Sequence, residues 1–174
     1  AFALAGCDRS PIGSGACSGS SLPIDRNLTA ELLGFSKTTL NALDTVGDRD
    51  FALDYTWAGA RLLLALSRLS TDIIDYSTSE FALVRLDGRI AAGSSMMPQK
   101  KNPDVFELVR GESGKAVGNV MSLLMMVKGL PTGYNRDLQE DRRPLLETGP
   151  LALGALDAVI TALPYVHFDG VKGE

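Results

Sequence analysis

"RDFALDYTWAGARLLLALSRLSTDIIDYS", from Arg49 to Ser77, decides the fold. It runs for almost thirty residues with neither proline nor an internal turn cluster, and Asp48, just before it, is a good helix N-cap. At 1.5 Å per residue the stretch makes one helix about 40 Å long. Phe51, Tyr55, Ala58, Leu62, Leu66, Leu69 and Ile73 follow the i, i+3/i+4 step, while Trp57, Leu63 and Leu64 widen the apolar stripe beyond one face. A helix apolar on several sides must be covered on several sides. The expected architecture is therefore all-α, a bundle of long helices joined by polar loops.

Working toward the C-terminus, "EFALVRLDGRI" (Glu80–Ile90) alternates around an Asp87-Gly88 turn and predicts a small hairpin or a loop. From Pro103, a favoured first-turn residue, another long helix reaches Gly129. Gly111, Gly114 and Gly118 share one of its faces, and the spacing predicts close approach by a neighbouring helix backbone. "LPTGYNRDLQEDRR" (Leu130–Arg143) is a polar connection, and a third helix is expected from about Glu140 to Leu163, interrupted or kinked at Pro144 and Pro150.

Toward the N-terminus, Ala1 to Leu22 is rich in Gly and Ser and broken by Pro11, which predicts loop; two short helices follow, one ending at Gly34 and one over Thr38 to Val46. We expect a single, partial domain over 1–174. It divides into a loop segment at 1–27, helices including the long core helix at 28–92, a polar loop at 93–102 and core helices at 103–174.

The 174 residues carry a net charge of −4 and no dense Lys/Arg face, which argues against nucleic acid. No unbroken apolar run approaches the roughly 20 residues that cross a bilayer, so no membrane association is expected. Cys7 and Cys17 form no disulfide framework and accompany no metal-ligand spacing, and His167 is the one histidine. These features predict a reduced, cytoplasmic protein without a metal. The chain starts without methionine on an apolar segment, which reads as the continuation of something earlier.

Three polar stretches invite chemistry. "GSGACSGSS" (Gly13–Ser21) lacks the lysine and preceding strand of a phosphate loop, leaving an anion-contacting loop or a solvent loop. In "PIDRN" Asp25 can cap a helix and Arg26 can be solvated. "YNRDLQEDRR" gathers Tyr134, Asn135 and Gln139 among charges. "GSSMMPQKKNP", beginning at Gly93, suits a definite task. A carbanion formed beside a carboxylate spreads charge onto the carboxylate oxygens, and Lys100 and Asn102 are the residue types that stabilise such charge in the transition state. A serine of the loop could remove the proton if its surroundings ionise it, and Gly93 could hinge the loop closed. The plainer alternative is that Met96 and Met97 anchor the loop to the core.

Gly-Ser-Ser, any residue, Met-Pro, any, Lys, any, Asn is matched over all ten positions from Gly93 to Asn102, and this resembles the signature of the fumarase/aspartase superfamily. "LGF", "NALDTVGDRDF" and "KGLPTGYNRDLQEDRRPLLET" resemble the argininosuccinate lyase family within it, and the likeness extends from the "GSGA…PIDR" segment to about Thr148. The resemblance implies a cofactor-free lyase that splits argininosuccinate into arginine and fumarate in arginine biosynthesis. It also implies a homotetramer whose long helices share one core and whose active sites draw on three subunits. Residue by residue, it implies Ser94 as the proton-abstracting base and Glu107 as the carboxylate that orients a histidine. Lys100, Asn102, Arg26, Tyr134 and Gln139 take substrate-binding positions, and Arg142 stands where the family usually has lysine. His167 does not match the partner histidine, so this chain by itself is expected to be silent. A catalytically inactive, crystallin-like homologue and another lyase of the superfamily are the alternatives.

Overall fold

A computed structural model of the chain describes residues 7–93, 95–97 and 99–170. Ser94 and Pro98 of the signature loop are outside the described residues. Among the described residues the structure is helical with four short strands, as the apolar patterning requires: β1 (Arg9–Ser10), α1 (Arg26–Leu32), β2 (Lys37–Thr38), α2 (Ala42–Gly47), α3 (Asp50–Tyr76), β3 (Val84–Leu86), α4 (Asp104–Val127), α5 (Arg142–Ala162) and β4 (Val166–Phe168). A 3-10 helix, Arg136–Asp141, precedes α5 and another, Leu163–Tyr165, follows it. Two compact units emerge, one of residues Ala1–Ala58 with Asn119–Leu146, the other of Gly59–Gly118 with Glu147–Glu174.

In the first unit the Gly/Ser-rich segment is more ordered than its composition suggests. β1 pairs in parallel with β2, Arg9 opposite Lys37, and Ser10 and Ser14 are buried. Asp25 caps α1 by accepting from the backbone N–H groups of Asn27 and Leu28, each at 3.0 Å. The predicted helix over Thr38–Val46 is shorter than expected. Residues 37–38 are extended, and Asn41, accepting from Leu43 N at 3.0 Å and Asp44 N at 3.2 Å, delays the helix start to Ala42. Asp48 closes α2 as its C-cap while its carboxylate takes the Asp50 N–H at 2.7 Å, so the first carbonyl of α3 comes from Arg49, one residue later than expected.

The second unit has a core of Ile73, Val84, Leu86, Phe106, Ala162 and Val166. Of the hairpin and the loop expected at Asp87-Gly88, the structure has the loop. β3 instead pairs antiparallel with β4, which follows the last long helix, Val84 opposite Phe168, and the pairing brings Val166 into the same buried cluster as Val84 and Leu86. Arg89 turns back instead, with both Nε and an η-nitrogen donating to Asp87 at 3.0 Å and its guanidinium 4.1 Å from the centre of the Tyr165 ring.

Pro103 launches α4 as expected, its carbonyl accepting from Phe106 N and Glu107 N, and Gly129 ends the segment with φ +80°. Gly111, Gly114 and Gly118 meet nothing within 4 Å of a would-be β-carbon, so no helix packs closely on those positions among the described residues. The close helix approach comes at Gly59 of α3, where a β-carbon would overlap the Thr148 methyl of α5. α5 is continuous from Arg142 to Ala162 with Pro150 inside it and Pro144 in its first turn, where no intrahelical N–H bond is lost. The span Arg136–Tyr165 is long and apolar enough to cross a membrane by length and composition, a property that core helices of globular bundles share. Thr148, Ala152, Ala155, Val159 and Ala162 line its buried face at helical spacing.

Candidate active site

The signature loop is shut at its base by an isolated antiparallel bridge: Ala92 N donates to Asn102 O at 3.1 Å and Asn102 N to Ala92 O at 2.9 Å. Within it Lys100 N donates to Met97 O at 2.9 Å, a tight turn that leaves the Lys100 side chain exposed. Asn102 is half-buried. Met96 and Met97 are 89% and 45% exposed, so they do not anchor the loop in this chain's core. Immediately beyond lies the N-terminus of the 24-residue helix α4, with Asp104 and Glu107 in its first turn where they complement the helix dipole. Glu107 is exposed. The geometry thus gathers Lys100, Asn102 and Glu107 on one loop-to-helix junction. The serine assigned as base, Ser94, belongs to the same loop in sequence and falls outside the described residues.

The first unit holds the other group. Arg26 is neither simply solvated nor free. Its Nε donates to Ile12 O at 3.1 Å, and one η-nitrogen donates to Ser14 Oγ at 3.3 Å and to Thr39 Oγ1 at 3.1 Å. Gly13, at φ +85°, makes room for it, since a β-carbon there would come within 2.9 Å of Arg26 Cγ. The glycine loop therefore cradles an arginine stem. Gln139 Nε2 donates to the Tyr134 hydroxyl at 3.0 Å, and both side chains are exposed. Asn135 turns its amide onto the carbonyls of Pro131 and Gly133, at 3.0 and 3.3 Å, fixing the turn that presents Tyr134. Arg142, the first residue of α5, is exposed.

Two features escaped the sequence reading. Arg49 Nε contacts Asp141 Oδ2 at 2.5 Å, with the two side chains 15% and 14% exposed. No local pattern reveals a pair 92 residues apart. Gly47 and Gly133 also meet backbone to backbone, a β-carbon on Gly47 falling 2.7 Å from Gly133 O. His167 stands on β4 opposite Arg85, beside a cleft of about 500 Å³ that also takes in Lys101 and the Ser77–Ser79 turn. Among the described residues no group of three or more His, Cys, Asp or Glu side chains is arranged to hold a metal ion.

A family model described as lyase matches residues 3–118. The chain belongs to that lyase family, within the fumarase/aspartase superfamily. It is 48% identical over 162 residues to an argininosuccinate lyase of Carboxydothermus hydrogenoformans, covering 93% of this chain and 36% of that protein. To the argininosuccinate lyase of Geobacter sulfurreducens it is 52% identical over 146 residues, 84% of this chain and 32% of the other. The chain thus spans about a third of the length of the lyases it matches. Among solved structures, EDDS lyase in complex with formate aligns with a TM-score of 0.82 at 28% identity, over 98% of this chain and 34% of that one. A class II fumarase from Schistosoma mansoni aligns at 0.84 over 98% of this chain and 41% of that one; at 19% identity it shows the lyase fold alone.

Proposed function

We propose that the protein to which this chain belongs is an argininosuccinate lyase, releasing fumarate and arginine without a cofactor. The observation that carries the reading is the signature loop pinned by the Ala92–Asn102 bridge directly before the N-terminus of α4. Such a junction offers an ammonium, an amide and a helix N-terminus to one substrate carboxylate. Ser94, ionised by neighbouring donors, takes the proton from the carbon next to that carboxylate. The electron pair delocalises onto the carboxylate, and Lys100 and Asn102 stabilise the resulting charge more than they stabilise the substrate. The pair then returns to form the fumarate double bond as the C–N bond breaks, and the leaving guanidino nitrogen takes up a proton from a general acid that Glu107 helps to orient. Arg26, Tyr134, Gln139 and Arg142 bind the remainder of a substrate molecule in an active site that draws on further copies of the chain.

The exposed apolar side chains on the long helices, among them Leu108, Met121 and Met125 on α4 and Leu146, Leu153 and Ile160 on α5, support assembly with further copies, a homotetramer in this reading. The free thiols of Cys7 and Cys17 fit a reducing cytoplasm; a place in arginine biosynthesis follows from the proposed substrate alone.

A substrate panel on the complete gene product tests the reading. Fumarate release from argininosuccinate is expected, with EDDS, adenylosuccinate, aspartate and malate turned over far more slowly. Preference for any of those four, or no turnover at all, overturns it.

A further inference from the structure

We propose that Arg49, through its ion pair with Asp141, is a positioning residue for substrate binding: it holds the segment that presents Tyr134, Gln139 and Arg142. The inference rests on the reading that these three side chains contact substrate.

The segment cannot hold its own shape. Arg136–Asp141 is a 3-10 helix of six residues with no side-chain cap at Asn135, and such helices, with their poorer hydrogen bonds, rarely exceed three or four residues unless something outside supports them. Leu138 is buried and supplies one hold. Gly47 against Gly133 supplies another at the near end. The far end, where the 3-10 helix passes into α5, is held by Arg49.

Arg49 is itself firmly rooted. Its carbonyl accepts the Ala52 and Leu53 N–H groups that begin the 27-residue helix α3, and its Nη1 donates to Asp48 O at 2.6 Å. The guanidinium thus has one edge on its own helix start and its Nε on Asp141, a two-sided arrangement that the single ammonium of lysine cannot reproduce. Gln139 lies two residues before Asp141 and Arg142 one after, so a shift of the carboxylate carries both predicted contacts with it. Asp141 also shares a cavity of about 630 Å³ with Asp44 and Asp48. Removing the Arg49 charge leaves these three carboxylates balanced only by Arg9 among the residues lining that cavity, and their repulsion loosens the junction.

The test compares Arg49→Gln, Arg49→Lys and the core truncation Val159→Ala in the complete gene product. Two measurements are made: steady-state kinetics with argininosuccinate, and amide hydrogen exchange of substrate-free protein. Arg49→Gln is expected to raise KM on the order of tenfold with kcat within about threefold, the pattern of lost binding rather than lost chemistry. Arg49→Lys recovers part of that loss. Exchange quickens within residues 133–142 in Arg49→Gln and not in Val159→Ala, which lowers Tm while leaving KM within about twofold. Unchanged exchange over 133–142 overturns the proposal, as does a KM that rises equally in Val159→Ala. If Arg49→Gln does not fold, Arg49→Lys carries the same comparison. If the wild-type protein fails to split argininosuccinate, the lyase reading falls, and the exchange measurement still decides whether Arg49 holds the segment.

Discussion

Gln139 gives its side-chain amide hydrogen to the Tyr134 hydroxyl at 3.0 Å across the turn into the 3-10 helix. Neither side chain is buried, so the contact contributes little to folding and its value lies in presenting two polar groups together. Tyr134→Phe should change stability by no more than about 0.5 kcal/mol and raise KM for argininosuccinate. Gln139→Ala should do the same, with the double variant losing less than the two single losses combined. Thermal melts and a double-mutant cycle on KM check both statements.

Gly59 packs against Thr148 so closely that alanine has no room. Gly59→Ala should cost about 1–3 kcal/mol through overpacking, although alanine is the better helix former. Thr148→Ser keeps the hydroxyl and removes the obstructing methyl. Placed beside Gly59→Ala it should recover much of the loss, as denaturant unfolding will read.

Leu153 is 67% exposed on α5, a large apolar side chain facing away from this chain's own core. Under the proposed assembly another copy covers it. Leu153→Glu should leave helical circular dichroism intact and reduce the mass in solution below four chains. Unchanged mass would place the subunit contacts elsewhere.

Asp87 is bound at both carboxylate oxygens by Arg89, whose hydrogen bonds, joined by its charge, hold the Asp87 carboxyl well below the usual carboxylate range. A group whose folded pKa is depressed adds stability above its unfolded value of about 3.9 and loses it as pH falls toward the folded one. Asp87→Asn should therefore lower Tm at neutral pH, and the difference from wild type should close as the solution is acidified below about pH 4. Because the pair is solvent-exposed, added salt should shrink the neutral-pH difference too.

The helices were legible because their information is local. The apolar spacing of residues 51 to 73 and the punctuation by Pro103 and Gly129 foretell α3 and α4 to within a few residues. Tertiary choices were not. β3 takes β4 as partner instead of folding back at Asp87-Gly88, a selection made by the burial of Val84 and Leu86 and invisible in an eleven-residue window. Asn41 overrode a helix pattern with one capping side chain. Of the candidate site residues, Lys100, Asn102 and Glu107 share a junction because they are neighbours in sequence, and Tyr134 and Gln139 meet for the same reason. The hydrogen bonds of Arg26 to Ser14 and Thr39, and the Arg49–Asp141 pair, needed coordinates, since each joins segments that fold together only through the backbone between them.

The central claim is that the signature loop carries the base. Its most direct test is fumarate release from argininosuccinate by the Ser94→Ala variant of the complete gene product, followed by ultraviolet absorbance. The account predicts a fall in kcat of at least about a hundredfold, as for loss of a general base, with substrate affinity largely retained. Turnover near the wild-type rate would contradict it.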